Sequence, residues 1–202
     1  QDVAPSRLDF AKRTITKLLE EMRSDKVGLI VFAGSSFVQL PITTDLSTAQ
    51  EFLSDVSPSM LSDQGTAIGS AITLARQSFS DRKDLGKAIV ILTDGEDFED
   101  NALEAATDAS KAGVHINVVG IGTSEGGPIP TPQGQLTDES GNMVVTKLNL
   151  DMCKQLADTG KGIFVSSQTQ ATIIKALKKQ LDELPRASVS SMADNGNIEN
   201  FE

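Results

Sequence analysis

Apolar residues along this chain fall into two kinds of pattern that alternate with each other. Uninterrupted apolar runs at 27–32, 88–92, 114–119 and 162–165 have the length of strands that are covered on both faces. Between them, apolar residues recur every three or four positions, as on one face of a helix. The pattern therefore predicts an α/β fold, a doubly wound and mostly parallel sheet with helices on both faces. The predicted helices cover residues 5–23, 45–53, 66–76, 101–112, 150–157 and 169–181.

One pair of strands departs from the parallel arrangement. Only four residues, 33–36, separate the run at 27–32 from a second extended stretch at 37–42. So short a connection joins only antiparallel neighbours. Since Pro41 cannot donate a backbone hydrogen bond, the second stretch is predicted to be an antiparallel strand at the edge of the sheet.

Residues 123–148 break the alternation of strands and helices. Prolines and glycines between 128 and 134 flank one short extended segment, and residues 142–146 form another. A hairpin or flap inserted at the surface accounts for this pattern. From residue 183 the sequence is polar and irregular, so we expect one domain over residues 1–184 and a polar linker tail over 185–202.

The run at 88–92 ends abruptly in Thr93, Asp94 and Gly95. Open α/β sheets bind ligands just beyond the carboxyl ends of their strands, so Asp94 stands where a site would be. A carboxylate there is costly unless a cation, a donor or solvent meets it. Alternatively, Asp94-Gly95 is only a turn in which the Asp side chain bonds to backbone. His115 lies at the start of its strand, at the opposite end of the sheet, and is interpreted as structural or exposed.

Thr66 stands at the N-terminus of the predicted helix 66–76, ahead of a stripe of Ala and Ile residues. Its hydroxyl is placed either to cap that helix or to act as a ligand. Taken alone, the position favours capping.

Composition limits the class of partner. The chain has 18 Lys and Arg against 28 Asp and Glu, for a net charge of −10. This balance disfavours nucleic acid and anionic membrane as direct partners and favours cations and basic partners. The absence of Trp and Tyr weakens hypotheses of carbohydrate or base stacking. The single Cys153 is interpreted as a small core residue. No apolar run of about 18 residues is present, so these residues are not expected to span a membrane themselves.

Two motifs carry a resemblance to a known family. Asp63-Gln-Gly-Thr-Ala-Ile-Gly-Ser-Ala-Ile72 and Ile89-Val-Ile-Leu-Thr-Asp-Gly-Glu96 resemble the second and third motifs of a von Willebrand factor A domain. Segments 2–12, 32–36 and 127–142 resemble the Bacteroides aerotolerance (Bat) branch of the bacterial members. The resemblance spans about residues 1–185 and implies a Rossmann-like fold.

The resemblance also implies a metal-ion-dependent adhesion site. In that family the site is built from an Asp-x-Ser-x-Ser loop after the first strand, a Thr before a helix and an Asp after the fourth strand. The matching residues are Thr66 and Asp94. Hydroxyl, carboxylate and water ligands suit Mg²⁺, with Mn²⁺ or Ca²⁺ as substitutes. Four acidic residues on the same rim are interpreted as the solvated start of the next helix, favoured by its dipole: Glu96, Asp97, Glu99 and Asp100.

The sequence departs from the family pattern in its first motif. It contains no Asp-x-Ser-x-Ser loop, and Asp55-Val-Ser-Pro-Ser59 fits the letters but follows a predicted helix rather than a strand. The first predicted helix also lacks the strand that a right-handed crossover would place before it. That strand would be central, between those at 27–32 and 88–92, and its absence would expose two unpaired edges and a hydrophobic slot. We therefore expect further residues before Gln1, or a neighbouring molecule, to fill the slot.

The function implied by the resemblance is binding. A partner carboxylate would complete the coordination of the metal, and Bat-like proteins are associated with other Bat proteins and with MoxR-type AAA+ ATPases. They usually carry membrane helices beside this domain, so the tail after Pro185 would lead towards a membrane through segments outside this sequence. The expected location is the surface of the bacterial inner membrane, with the periplasmic side favoured.

Two other functions stay open. One is a Mg²⁺-dependent phosphohydrolase with Asp94 as nucleophile, although no Lys is placed obviously to hold phosphate. A nucleotide site in Gly120-Ile-Gly-Thr-Ser-Glu-Gly-Gly127 is disfavoured because prolines follow it instead of a helix. The other is a scaffold whose metal site is vestigial. We therefore expect a non-enzymatic interaction module. A rise in melting temperature on addition of Mg²⁺ or Mn²⁺ would distinguish the metal-dependent module from the scaffold.

Overall fold

Helices and strands alternate along most of the chain. The computed structural model describes residues 3–22, 24–60, 65–95, 101–128, 130–131, 134–135, 137, 141–143, 145–166 and 169–186. The helices are α1 (Arg7–Glu21), α2 (Leu46–Asp55), α3 (Ile68–Ser78), α4 (Ala102–Lys111), α5 (Leu150–Thr159) and α6 (Gln170–Asp182), with a 3-10 turn at Pro58–Met60. The strands are β1 (Val27–Phe32), β2 (Ser36–Thr43), β3 (Lys87–Thr93), β4 (Val114–Gly120), β5 (Gly127–Pro128), β6 (Pro130–Thr131), β7 (Gly134–Gln135), β8 (Val145–Thr146) and β9 (Lys161–Ser166).

The main strands form two separate sheets. One is parallel, in the order β3-β4-β9, and pairs Ile91 with Val118 and Val118 with Phe164. The other is the antiparallel pair β1-β2, which brings Leu29 opposite Leu40. The predicted parallel core and antiparallel edge strand are therefore confirmed, and Pro41 lies in the edge strand β2.

Helices cover both faces of the parallel sheet. Alternate residues of β3 enter different apolar clusters: Ile91 packs with residues of α3, α4 and α5, whereas Val90 and Leu92 pack with residues of α1 and α6. This alternation is the two-residue period of a strand buried from both sides. The doubly wound arrangement predicted from the sequence is confirmed.

Helix ends follow local signals in the sequence. The Ser6 side chain accepts a hydrogen bond from the backbone N–H of Asp9 and caps α1. The Asn149 side chain accepts one from the backbone N–H of Met152 and caps α5. Helix α4 stops at Gly113, whose φ of 77° is the left-handed conformation expected of a glycine after a helix.

A slot separates the two sheets. Among the described strands, the outer edges of β1 and β3 have no hydrogen-bonded neighbour. They flank a groove of about 550 Å³, lined mainly by apolar side chains of β1, β3, α1 and α3. The predicted hydrophobic slot between residues 27–32 and 88–92 is thus present.

Short antiparallel pairs occupy the region between β4 and α5. Strand β5 pairs with β8, β6 pairs with β7, and Thr137 forms a bridge with Met143. This segment lies beyond the carboxyl end of β4 and returns to α5 at Asn149. The tail predicted over 185–202 lies outside the described residues after Arg186.

Candidate functional site

Asp94 follows directly after β3, at the carboxyl end of the parallel sheet. Its backbone carbonyl accepts a hydrogen bond of 2.9 Å from the N–H of Asn149, which holds the tip of β3 against the start of α5. The carbonyl of Thr93 accepts one of 2.8 Å from Ile121, at the end of β4. The position of Asp94 is therefore set by backbone contacts to two other elements.

Gly95 makes the turn after Asp94. Its φ is 72°, and its N–H donates to the Thr93 hydroxyl at 3.0 Å. A Cβ atom at this position would lie 2.7 Å from the Sγ atom of Cys153 and 3.0 Å from the carbonyl oxygen of Asn149. Both the backbone conformation and the close packing therefore require glycine here.

Cys153 lies beneath this turn in the apolar core and is fully buried, as the sequence predicts. Burial raises the pKa of its thiol to about 11, and the negative charge of Asp94 adds to the shift. The thiol is therefore protonated at neutral pH and serves as a small packing group under the site.

Arg7 binds the Asp94 carboxylate. Its Nη1 atom donates to Oδ2 of Asp94 at 2.8 Å, and its Nη2 atom donates to the carbonyl oxygen of Thr146 at 3.1 Å. Gly122 lies so close to the guanidinium that a Cβ there would be 3.2 Å from it. Arg7 thus joins α1 to the tip of β3 and to strand β8. The sequence pattern predicted a helix over residues 5–23 and did not identify this contact.

Thr66 precedes α3, but it is not the residue that caps it. The N-cap residue is Ala67, and no side chain caps this helix. The carbonyl oxygen of Thr66 accepts a hydrogen bond of 3.0 Å from the N–H of Ile68, and the Ala67 carbonyl accepts the first helical bond, 3.1 Å from the N–H of Ala71. The N–H of Ala67 donates at 2.6 Å to the carbonyl oxygen of Ala33 in the β1–β2 turn. The prediction that Thr66 caps the helix is therefore wrong. Within the described residues its hydroxyl has no hydrogen-bond partner.

Thr66 and Asp94 line the same groove. The hydrogen bond from Ala67 to Ala33 holds Thr66 beside the carboxyl end of β1. Asp94 follows the carboxyl end of β3, so the open slot lies between Thr66 and Asp94. A hydroxyl and a carboxylate are oxygen donors that fit a hard divalent cation, and the Arg7 guanidinium already holds positive charge against Asp94. In the described part of the chain, His, Cys, Asp and Glu form no cluster of three or more that could hold a metal. The rim acids Glu96, Asp97, Glu99 and Asp100 are not among the described residues.

Comparison with known proteins identifies the family. Residues 1–159 match the family model of the von Willebrand factor type A domain. The chain belongs to this family. Von Willebrand A domains are metal-dependent protein-interaction modules.

Two solved structures resemble this von Willebrand A domain over most of its length. One is BatB from Bacteroides thetaiotaomicron, 46% identical, with a TM-score of 0.85. The other is an aerotolerance-related membrane protein from Bacteroides fragilis carrying multiple mutations to serine, 46% identical, with a TM-score of 0.87. In each case the match covers 91% of this chain and 92% of the other. The predicted resemblance to Bat proteins is confirmed.

A curated relative is an uncharacterized protein of Borreliella burgdorferi, 30% identical over 122 residues and 59% of this chain. The match spans 36% of that protein, about a third of its length. Among the described helices of this von Willebrand A domain, none has the length and apolar character needed to cross a bilayer.

Two other sequence features lie away from the groove. The Nδ1 atom of His115 lies 2.9 Å from the carbonyl oxygen of Lys161, at the start of β4 and opposite the Asp94 end, as predicted. Asp55 is the last residue of α2, and the 3-10 turn follows it, so the letters Asp55-Val-Ser-Pro-Ser59 do not follow a strand. Neither feature contributes to the candidate site.

Proposed function

We propose that this domain binds a partner protein through a Mg²⁺ ion held by Thr66 and Asp94, with Mn²⁺ or Ca²⁺ as substitutes. The observation that carries the proposal is that these two oxygen donors line one groove at the carboxyl edge of the sheet. Ligands of α/β sheets bind at this edge. Two protein donors leave most of an octahedral shell to water and other ligands, so a partner carboxylate has room to coordinate. The Asp-x-Ser-x-Ser loop implied by the resemblance would add its oxygens at this same edge.

Arg7 is part of this proposal because it occupies one oxygen of Asp94. Its guanidinium and an incoming divalent cation compete for the same carboxylate. The second contact of Arg7, to the carbonyl of Thr146, links the Asp94 carboxylate to strand β8. Arg7 would therefore couple a metal held by Asp94 to the segment that carries β8.

The partners that we propose are other Bat proteins and a MoxR-type AAA+ ATPase. The support for a Bat setting is the 46% identity to BatB and to a protein named as an aerotolerance-related membrane protein. We propose that the domain lies at the surface of the bacterial inner membrane, on the periplasmic side, anchored through flanking segments. The net charge of −10 favours a basic surface on the partner around the carboxylate that reaches the metal.

We propose binding rather than catalysis. A phosphohydrolase would need the Asp94 carboxylate to attack phosphorus, whereas Arg7 holds one of its oxygens at 2.8 Å. Hydrolysis of p-nitrophenyl phosphate in the presence of Mg²⁺ is expected to be absent. Turnover that is lost in an Asp94→Ala variant would instead support the phosphohydrolase.

The test of the metal site compares two substitutions of Thr66. At 100 times its Kd, Mg²⁺ is expected to add about 2.7 kcal/mol to stability, a rise in Tm of roughly 5–10 °C. Thr66→Val removes the hydroxyl and is expected to abolish the rise, whereas Thr66→Ser keeps the hydroxyl and the rise. An equal rise in Tm for the Val and Ser variants would contradict a ligand role for Thr66.

A further inference from the structure

The flap, residues 123–148 between β4 and α5, exposes apolar side chains at the surface. Among the described residues four large apolar side chains are exposed, and two of them lie in the flap: Met143 is 52% exposed and Val145 is 44% exposed. Neither side chain belongs to the candidate metal site. Neighbouring apolar groups that stay exposed in a folded domain are typical of surfaces that bind another molecule.

Met143, Val145 and Lys147 form one surface, which we name the flap stripe. Met143 forms a bridge with Thr137, and Val145 lies in β8. Residues two apart in an extended segment share a face. The side chains of Val145 and Lys147 also meet over Gly126, where an added Cβ atom would lie 3.0 Å from Cγ1 of the valine and 2.7 Å from Cγ of the lysine. The flap stripe therefore presents two apolar side chains and a positive charge, all exposed, side by side.

Hydrogen bonds hold the flap stripe close to the rim that carries Asp94. The N–H of Leu148 donates at 3.0 Å to the carbonyl oxygen of Thr123, which closes the base of the flap. The guanidinium of Arg7 donates both to the carboxylate of Asp94, at 2.8 Å, and to the carbonyl oxygen of Thr146, at 3.1 Å. The width of one guanidinium thus separates the carboxylate proposed to hold the metal from β8. A group bound at Asp94 would therefore lie beside the flap stripe.

The charge of the flap differs from that of the whole chain. In the described part of the flap the one acidic residue is Glu125 and the one basic residue is Lys147, whereas the whole chain has a net charge of −10. An exposed ammonium group beside two apolar side chains complements a carboxylate that stands next to an apolar residue. The basic surface proposed for the partner would face the acidic remainder of the domain, beyond the flap stripe.

We propose that the flap stripe binds a segment of the partner protein in which an apolar residue stands next to the carboxylate that reaches the rim. That carboxylate comes from the function proposed above, on which this docking site rests. The partner's apolar side chain would cover Met143 and Val145, and Lys147 would attract the acid beside it. Because methionine adapts to different apolar shapes, the flap stripe would accept both aliphatic and aromatic side chains. The flap would thus select the partner, while the metal supplies a contact that any carboxylate can make.

Selection from a displayed library of random short peptides, carried out on the protein in Mg²⁺, tests this docking site. Peptides released by EDTA are expected to carry an Asp or Glu directly beside an aliphatic or aromatic residue. The double variant Met143→Gln, Val145→Thr keeps the size of both side chains but makes them polar, and it is expected to weaken the selected peptides at least about 10-fold. Phe52→Gln is the matched control, because Phe52 is 37% exposed on α2, which packs against β1 and β2. It should leave the affinity unchanged.

The outcomes separate the flap stripe from the metal site. Binding that needs Mg²⁺ but is unchanged in the double variant would overturn the docking site and leave the metal site standing. Binding that the double variant weakens but EDTA does not would support the docking site and contradict the metal-dependent function. A library that yields no enriched peptide would overturn the docking site. So would a concentration-dependent dimer in analytical ultracentrifugation that Val145→Thr abolishes, since a second copy of the chain would then cover the flap stripe.

The charge of Lys147 has a test of its own with the same peptides. Lys147→Glu is expected to weaken them, because it places a carboxylate against their acid, whereas Lys147→Arg keeps the charge and the affinity. The difference between the two variants should shrink as the salt concentration rises. Equal affinities for the Glu and Arg variants at low salt would contradict the acidic character of the bound segment.

Discussion

The Nη1 atom of Arg7 lies 2.8 Å from Oδ2 of Asp94, which joins the first helix to the tip of a strand 87 residues away in sequence. The two side chains are 21% and 31% exposed, so water only partly screens the pair. The same guanidinium reaches the carbonyl of Thr146. At the candidate site this contact places a positive charge against Asp94.

Arg7→Met is expected to lower the free energy of unfolding by about 1–2 kcal/mol, because two hydrogen bonds to a charged group are lost. It is also expected to raise the affinity for Mg²⁺, since the competing cation is gone. Chemical denaturation and calorimetry measure the two effects. Arg82→Met is the matched control, because Arg82 pairs with Asp84 but both side chains are more than half exposed. This variant should change neither the free energy of unfolding nor the affinity for Mg²⁺. Equal losses of stability in the two variants would contradict the structural role of Arg7.

Gly95→Ala tests the turn that carries Asp94. An alanine with φ near 72° costs about 1–2 kcal/mol, and its Cβ would in addition meet the Cys153 sulphur and the Asn149 carbonyl. We expect a total loss of roughly 2–5 kcal/mol in denaturant unfolding. Gly113→Ala is the control, because its φ is 77° but nothing lies within 4 Å of the added Cβ. Losses of the same size at both positions would mean that the packing around Gly95 is looser than described.

The buried thiol of Cys153 predicts a loss of stability at high pH. Its pKa in the folded protein is raised from 9.0 to about 11, so between these values the folded state holds a proton that the unfolded state releases. The contribution of the protonated Cys153 thiol to the free energy of unfolding is therefore fully present below pH 9. It declines by about 2–3 kcal/mol as the pH rises through 11. The difference in unfolding free energy between the protein and Cys153→Ala, measured from pH 8 to 11, isolates this effect from the lysines. A difference that does not change with pH would contradict the burial of the thiol.

Most of the fold follows from local patterns in the sequence. The uninterrupted run at 27–32 and the four-residue connection after it required an antiparallel neighbour, and β1 and β2 form that pair. The apolar stripes at helical spacing predicted helices over 101–112 and 150–157, where α4 and α5 lie. The lack of a strand ahead of α1 predicted the slot. These features depend on neighbouring residues, on periodicity and on chain connectivity, so a single sequence contains enough information to predict them.

The contacts of the site depend on tertiary structure and could not be predicted from local sequence patterns. Nothing near Arg7 in the sequence distinguishes it from the other basic residues on the polar face of α1, and only the folded chain brings it to Asp94. Helix α3 starts at Ile68 rather than at 66, because the carbonyl oxygen of Thr66 accepts from the N–H of Ile68 and not from a residue one helical turn later. The residues expected at the rim were therefore identified by motif, whereas their partners required the structure.

The most direct test of the metal-dependent account is a calorimetric titration of Mg²⁺ and Mn²⁺ into the protein, with two variants beside it. Asp94→Asn removes the charge at the rim, and Asp158→Asn removes an exposed carboxylate at the far end of α5 as the matched control. We predict binding of one ion by the protein and by its Asp158→Asn variant, and none by the Asp94→Asn variant. Absence of binding by every form, or binding that Asp94→Asn leaves unchanged, would contradict the account.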